Sequence, residues 1–214
     1  MPDARLEWLE ASEVIPMFPS VLWKLQLRAA FHDEFDARIL GMLDEMRHGA
    51  PPLAPGQGWQ SERTLNLRPE LRELASCVER SAVTVLRFLR IGCDALEITG
   101  CWATVLADGA AHRSHRHPNN FLSAVYYLRV APGADTINFH DPRPQAGIIR
   151  PPVTELTAEN TDQVVVKVRN GTLLLFASFL EHSVDPTSGG IERASVSFNL
   201  MFPAFTETLA KPLW

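Results

Sequence analysis

The sequence predicts an α+β fold: a double-sheet jelly roll with N-terminal helices packed on one sheet. Three observations carry that expectation. Apolar residues recur at helical spacing only before residue 96, and from Ile98 onward the period shortens to that of strands. The last apolar run alternates strictly, with Arg193, Ser195, Ser197 and Asn199 on one face and Ala194, Val196, Phe198, Leu200 and Phe202 on the other. Such a strand can seat helices with its apolar face and line a pocket with its polar one.

Taken in order, Val21, Trp23, Leu25 and Leu27 share one side of an extended segment, an early strand. Phe31, Phe35, Ile39, Met42, Leu43 and Met46 follow a helical period that stops before Gly49 and Pro51-Pro52. Gly49 to Gly58 reads as a loop leading to Trp59-Gln60-Ser61. Leu71, Leu74, Ala75, Val78, Ala82, Val85, Leu86 and Leu89 mark a second helix, opened after Pro69 and stopped near Gly92. Strands are expected at Ile98 to Leu106, Phe121 to Val130, Thr136 to Phe139, Val164 to Val168, Thr172 to Phe176 and Ala194 to Phe202. The proline-rich stretch 141 to 163 is a loop of the length that often serves as a lid or binding loop. The 214 residues are read as one domain, with 1–95 as helical and early-strand support and 96–205 as the jelly-roll core.

The net charge of −5 comes from interspersed acids and bases, and no Lys/Arg cluster suggests nucleic acid as a partner. Cys77, Cys93 and Cys101 are odd in number and lack a CxxC spacing, so neither a disulfide framework nor a cysteine zinc site is expected. No apolar run has the length of a membrane span, and Met1-Pro2-Asp3-Ala4-Arg5 lacks the apolar core of a signal peptide. The expected setting is a reducing cytoplasm. Oligomeric state is not legible.

The chemistry concentrates at His115-Arg116-His117, directly before a strand-forming run. On extended backbone, side chains two apart point the same way, so both imidazoles can converge on one ion. A third ligand must come from elsewhere, and His182 qualifies, ending the apolar stretch Leu173 to Leu180 before the turn Asp185-Pro186. Alone, a His-x-His pair reads as two solvated loop histidines. His112 falls three residues from His115, off the extended face, and reads as a loop residue. Asp141 stands as an alternative carboxylate ligand in place of His117, although an Asp-Pro turn already explains it. Neighbouring His140 or Arg143 could meet a substrate carboxylate or phosphate.

In this order, His-x-His-Pro, Tyr126-Tyr127, Asp141-Pro142-Arg143, His182 and Arg193-x-Ser-x-Ser-Phe-Asn resemble the Fe(II)- and 2-oxoglutarate-dependent oxygenases of the prolyl-hydroxylase type. The pattern looks closest to a bacterial and phage group with an HxH motif. The resemblance implies a double-stranded β-helix with helices on the major sheet, and a dioxygenase that hydroxylates an unactivated C–H bond. It also implies His115, His117 and His182 on Fe(II), with His117 where most relatives carry Asp. Arg193 would pair with the distal carboxylate of 2-oxoglutarate, helped by Tyr127 and Ser197, with Ser195 and Asn199 in the same pocket. The substrate would be a small molecule or a protein side chain. A different class remains open: a non-catalytic jelly roll that binds a ligand and uses its histidines for structural metal.

Overall fold

The computed structural model describes residues 9–145 and 147–206. Leu22–Gln26 form β1, Ala29–Met46 form α1, Gly58–Gln60 form β2 and Arg72–Phe88 form α2. Then come β3 (Glu97–Leu106), β4 (His112–His115), β5 (Leu122–Arg129), β6 (Thr136–His140) and β7 (Gln163–Lys167). The chain closes with β8 (Thr172–Ala177), β9 (His182–Val184), β10 (Arg193–Met201) and the single-turn α3 (Pro203–Thr206). Two antiparallel sheets result, a six-stranded one in the order β1-β8-β5-β10-β3-β2 and a four-stranded one in the order β4-β9-β6-β7.

Local chemistry sets the helix ends. Pro69 opens the 3₁₀ turn that leads into α2, with Glu73 in the helix's first turn and Arg87 in its last, each sign suited to its end of the dipole. Arg90 then takes φ 57°, and the Ile91 N–H reaches back to the Leu86 carbonyl at 3.0 Å, closing the helix with a left-handed residue that is not glycine.

Helices cover one face of the large sheet. Phe35, Ile39, Leu74, Val78 and Val85 pack there against Ala124, Tyr126, Leu175, Val196 and Phe198. Each fully buried aliphatic side chain contributes about 1.5–3 kcal/mol. A second apolar layer lies on the other face, toward the small sheet, and includes Val125, Ile137, Phe139, Leu174 and Phe176. Because both faces of β8 are covered, Leu173-Leu174-Leu175-Phe176 reads as continuously apolar, whereas β10 alternates. One polar tie crosses the helix layer: Asp36 on α1 accepts from the Tyr126 hydroxyl at 2.7 Å and lies 2.9 Å from His32 Nδ1. Burial pushes the Asp36 carboxyl up, against the pull of those two partners.

The helices, the two sheets and the strands expected from periodicity are present. Three short strands, β2, β4 and β9, went unread, and His182 opens β9 instead of ending the apolar strand, which stops at Ala177. Leu25 is one-third exposed because β1 is an edge strand. No described helix is long and apolar enough to cross a membrane. Cys77, Cys93 and Cys101 are free thiols.

Candidate active site

Strands β4 and β9 pair antiparallel with His115 opposite His182. His117 lies two residues past the end of β4, where its N–H bonds to the Ser178 carbonyl at 3.0 Å. Ligand atoms of His115, His117 and His182 lie within 4.8 Å of one another. Nδ1 of His115 is 2.8 Å from the Arg113 carbonyl, and Nδ1 of His182 is 3.0 Å from the Leu180 carbonyl. A carbonyl only accepts, so Nδ1 carries the proton in both rings and the Nε2 lone pair stays available to an ion. Burial, reinforced by the neighbouring imidazoles, pushes His117 down to about 3. Burial likewise pushes His182 down to about 4, so both rings are neutral at ordinary pH, as metal ligation requires.

The cluster sits at one side of a cavity between the sheets, and the opposite side is built by β5 and β10. Arg193, 3% exposed, donates from Nη1 to the carbonyls of Ala134 and Thr136 at 3.1 and 2.7 Å. Its guanidinium carbon lies 5.1 Å from the Tyr127 ring centroid. The Tyr127 hydroxyl is fully buried without a hydrogen-bond partner among the described residues. Burial raises its pKa, and nearby Arg193 pulls the other way. A guanidinium with only Nη1 spent and an orphaned hydroxyl beside it fit a ligand that brings carboxylate oxygens. Ser195 and Ser197 also line the cavity. Asn199 is one step removed: it accepts a 3.1 Å bond from Ser123, whose side chain does line it.

His112 corrects the sequence reading. It belongs to β4 and lines the cavity, its ring 4.4 Å from that of His115. The register of β4 shifts between His112 and His115, and this extra residue lets two histidines three apart face the same way. Burial, with His115 and Arg193 nearby, pushes His112 down to about 4.

Asp141 lies elsewhere, clamped by Arg143 at 2.6 Å on a groove shared with Pro16 to Leu22, and Arg143 holds it below the usual carboxylate range. His140 bonds to Ser183 Oγ at 2.9 Å. No described residue from 138 to 175 lines the histidine cavity, so the described part of the 141–163 loop does not cover it. Trp59-Gln60-Ser61 serve the sheet edge: Gln60 donates to Thr104, and Ser61 accepts from the Ala103 N–H. Trp102 and Thr104 on β3 do line the cavity and went unnoticed. Their alternation with the core residues Cys101, Ala103 and Val105 was the available signal.

No curated protein matches the sequence. Residues 100–199 match the family described as "Putative 2OG-Fe(II) oxygenase". Solved structures share the fold. A Trichoplax adhaerens prolyl hydroxylase, in complex with a hypoxia inducible factor peptide fragment, is 16% identical with TM-score 0.61, over 89% of this chain and 87% of that one. A Pseudomonas putida prolyl-4-hydroxylase is 17% identical with TM-score 0.56, over 85% and 92%. HygX from Streptomyces hygroscopicus, solved with nickel and 2-oxoglutarate bound, is 13% identical with TM-score 0.58, over 86% and 83%. The matched span holds all four cavity histidines, Tyr127, Arg193 and Ser197, and over it this chain is similar to the 2OG-Fe(II) oxygenases.

Proposed function

We propose that this chain is an Fe(II)- and 2-oxoglutarate-dependent hydroxylase in which His115, His117 and His182 hold the metal and Arg193 holds the distal carboxylate of 2-oxoglutarate. One observation carries the reading: a single cavity joins three convergent imidazoles to a buried guanidinium and an orphaned hydroxyl. When bound, Fe(II) and 2-oxoglutarate supply the oxidising chemistry, O₂ and 2-oxoglutarate yielding succinate, CO₂ and an oxygen atom delivered to a C–H bond.

The protein's part is positioning and exclusion of water. The Ala134 and Thr136 carbonyls fix the guanidinium plane through Nη1, leaving other N–H groups of Arg193 for a carboxylate. Tyr127 and Ser197 donate to the same carboxylate, Ser195 adds a hydroxyl, and Asn199 acts through Ser123. The Arg113 and Leu180 carbonyls hold two ligand rings in the productive tautomer. Three neutral imidazoles leave the metal one charge more positive than a set with a carboxylate, which suits a dianionic cosubstrate. Trp102, Phe176 and Val184 wall the cavity with apolar surface.

Three protein donors leave positions open for cosubstrate and oxygen, which favours this reading over a structural metal site with four protein ligands. The substrate class is a small molecule or a protein side chain, handled by one domain spanning residues 1–214. Three free thiols support a reducing, cytoplasmic setting. The test is anaerobic Fe(II) loading, calorimetric titration with 2-oxoglutarate, then succinate release on admitting O₂. Binding and succinate release, both lost in His182→Ala, are expected, and metal-loaded protein that binds no 2-oxoglutarate would sink the proposal.

A further inference from the structure

The open edge of the large sheet carries features that the oxygenase cavity does not use. Among the described residues strand β1 is outermost, bonded to β8 alone. The Leu27 N–H bonds to the Gly171 carbonyl, so by alternation Trp23 and Leu25 turn their backbone groups toward β8. Leu22, Lys24 and Gln26 turn theirs outward. Such a row is a template for one more strand.

A groove of about 1000 Å³ runs between this edge and α2. Trp23, Leu25 and Phe31 give it an apolar wall, and Phe31 is 56% exposed. The other wall is cationic. Arg72, Arg80 and Arg87 fall on one stripe of α2, spaced by Ser76 and Val83, and all three arginines are exposed. None of them has an ion-pair partner among the described residues. The one carboxylate among the groove's described lining residues, Glu73, is taken by Arg38 at 2.8 Å. In a chain of net charge −5, this is a concentrated positive site that the scatter of Lys and Arg along the sequence conceals.

We propose that β1 and the arginine stripe of α2 form a docking site for an extended acidic segment of a partner protein, added as a seventh strand of the large sheet. Main-chain bonds to Leu22, Lys24 and Gln26 give the register. Alternate side chains of the segment face the groove, where carboxylates meet the three arginines and apolar groups meet Trp23 and Leu25. Charge selects the partner, and the edge selects its conformation.

The experiment uses the full chain and a fluorescein-labelled peptide repeating Val-Thr-Glu-Thr, whose one face carries Val and Glu in turn, read by anisotropy. The matching Val-Thr-Lys-Thr peptide and a single-stranded oligonucleotide are the comparisons. The acidic peptide is expected to bind, to weaken with salt, and to lose at least about tenfold in affinity when Arg72, Arg80 and Arg87 are all changed to Glu. Lys24→Pro removes an outward N–H without touching the bonds to β8, and about a tenfold loss is expected there against little change in Lys24→Gln. Hydrogen exchange on the unaltered chain gives a second measurement, with the Leu22, Lys24 and Gln26 amides expected to gain protection when peptide is added. Absence of binding, equal binding of the basic peptide, tighter binding of the oligonucleotide, or unchanged exchange at those three amides overturns the proposal.

Discussion

Tyr126 and Asp36 are joined by a 2.7 Å hydrogen bond that ties the central strand β5 to α1, while the next residue, Tyr127, turns its hydroxyl to the opposite face of the sheet. On the proposed function, two adjacent tyrosines divide stability from cosubstrate binding. Tyr126→Phe strips a donor from a buried carboxylate and is expected to cost about 1–3 kcal/mol in urea unfolding. Its 2-oxoglutarate affinity should equal that of the unaltered protein. A loss of affinity without a loss of stability would reverse the assignment of the two rings.

Arg193→Ala removes a charge-assisted contact of about 2–5 kcal/mol, so calorimetry should show 2-oxoglutarate affinity falling by well over tenfold in a protein that remains folded. Arg193→Lys should recover little, because an ammonium cannot hold two backbone carbonyls and present a planar fork together. Tyr127→Phe is expected to cost less, about 1 kcal/mol of binding. An Arg193→Ala protein with full affinity would remove the residue from the cosubstrate's site.

Alanine at His115, His117 or His182 should each abolish measurable Fe(II) binding, whereas His112→Ala and Asp141→Ala should shift it by less than about tenfold. Anaerobic titration with Fe(II) separates these outcomes. If Asp141→Ala loses the metal and His117→Ala keeps it, the three-histidine set is wrong and a carboxylate completes the site.

Acid should destabilise the metal-free protein through its cavity. His112, His117 and His182 titrate near 4, 3 and 4 when folded, against about 6.5 for an imidazole in the unfolded chain. The unfolded state therefore binds more protons, and the stability these groups carry is complete above about 6.5 and is lost as pH falls toward 4. Denaturant midpoints measured across that range should decline, and the decline should be shallower in His117→Phe, which removes the group with the lowest value. An identical slope in that variant would mean that other groups govern the acid limb.

Much of this molecule is legible in its sequence because β10 faces two environments. Arg193, Ser195 and Ser197 line the cavity while Ala194, Val196 and Phe198 meet the helices, so the alternation that betrayed the strand also named the cavity wall. Strands β2, β4 and β9 escaped for a physical reason. At three or four residues each they are too short for a period to show, and their hydrogen bonds, not their side chains, define them. The bulge in β4 hid His112 in the same way, since period two holds only while the ladder is unbroken. The arginine stripe of α2 was invisible as a cluster because a helix gathers residues that the sequence holds seven and eight positions apart.

The two-faced character of β10 has a consequence for how the cavity comes into being. A slip of one residue along its neighbours would carry Arg193, Ser195 and Ser197 into the helix layer and Val196 and Phe198 into the cavity. Such a chain would bury a guanidinium in oil and lose the proposed cosubstrate seat at once. Site assembly and correct folding are therefore one event, so a preparation's 2-oxoglutarate binding capacity per chain should double as a count of correctly registered molecules.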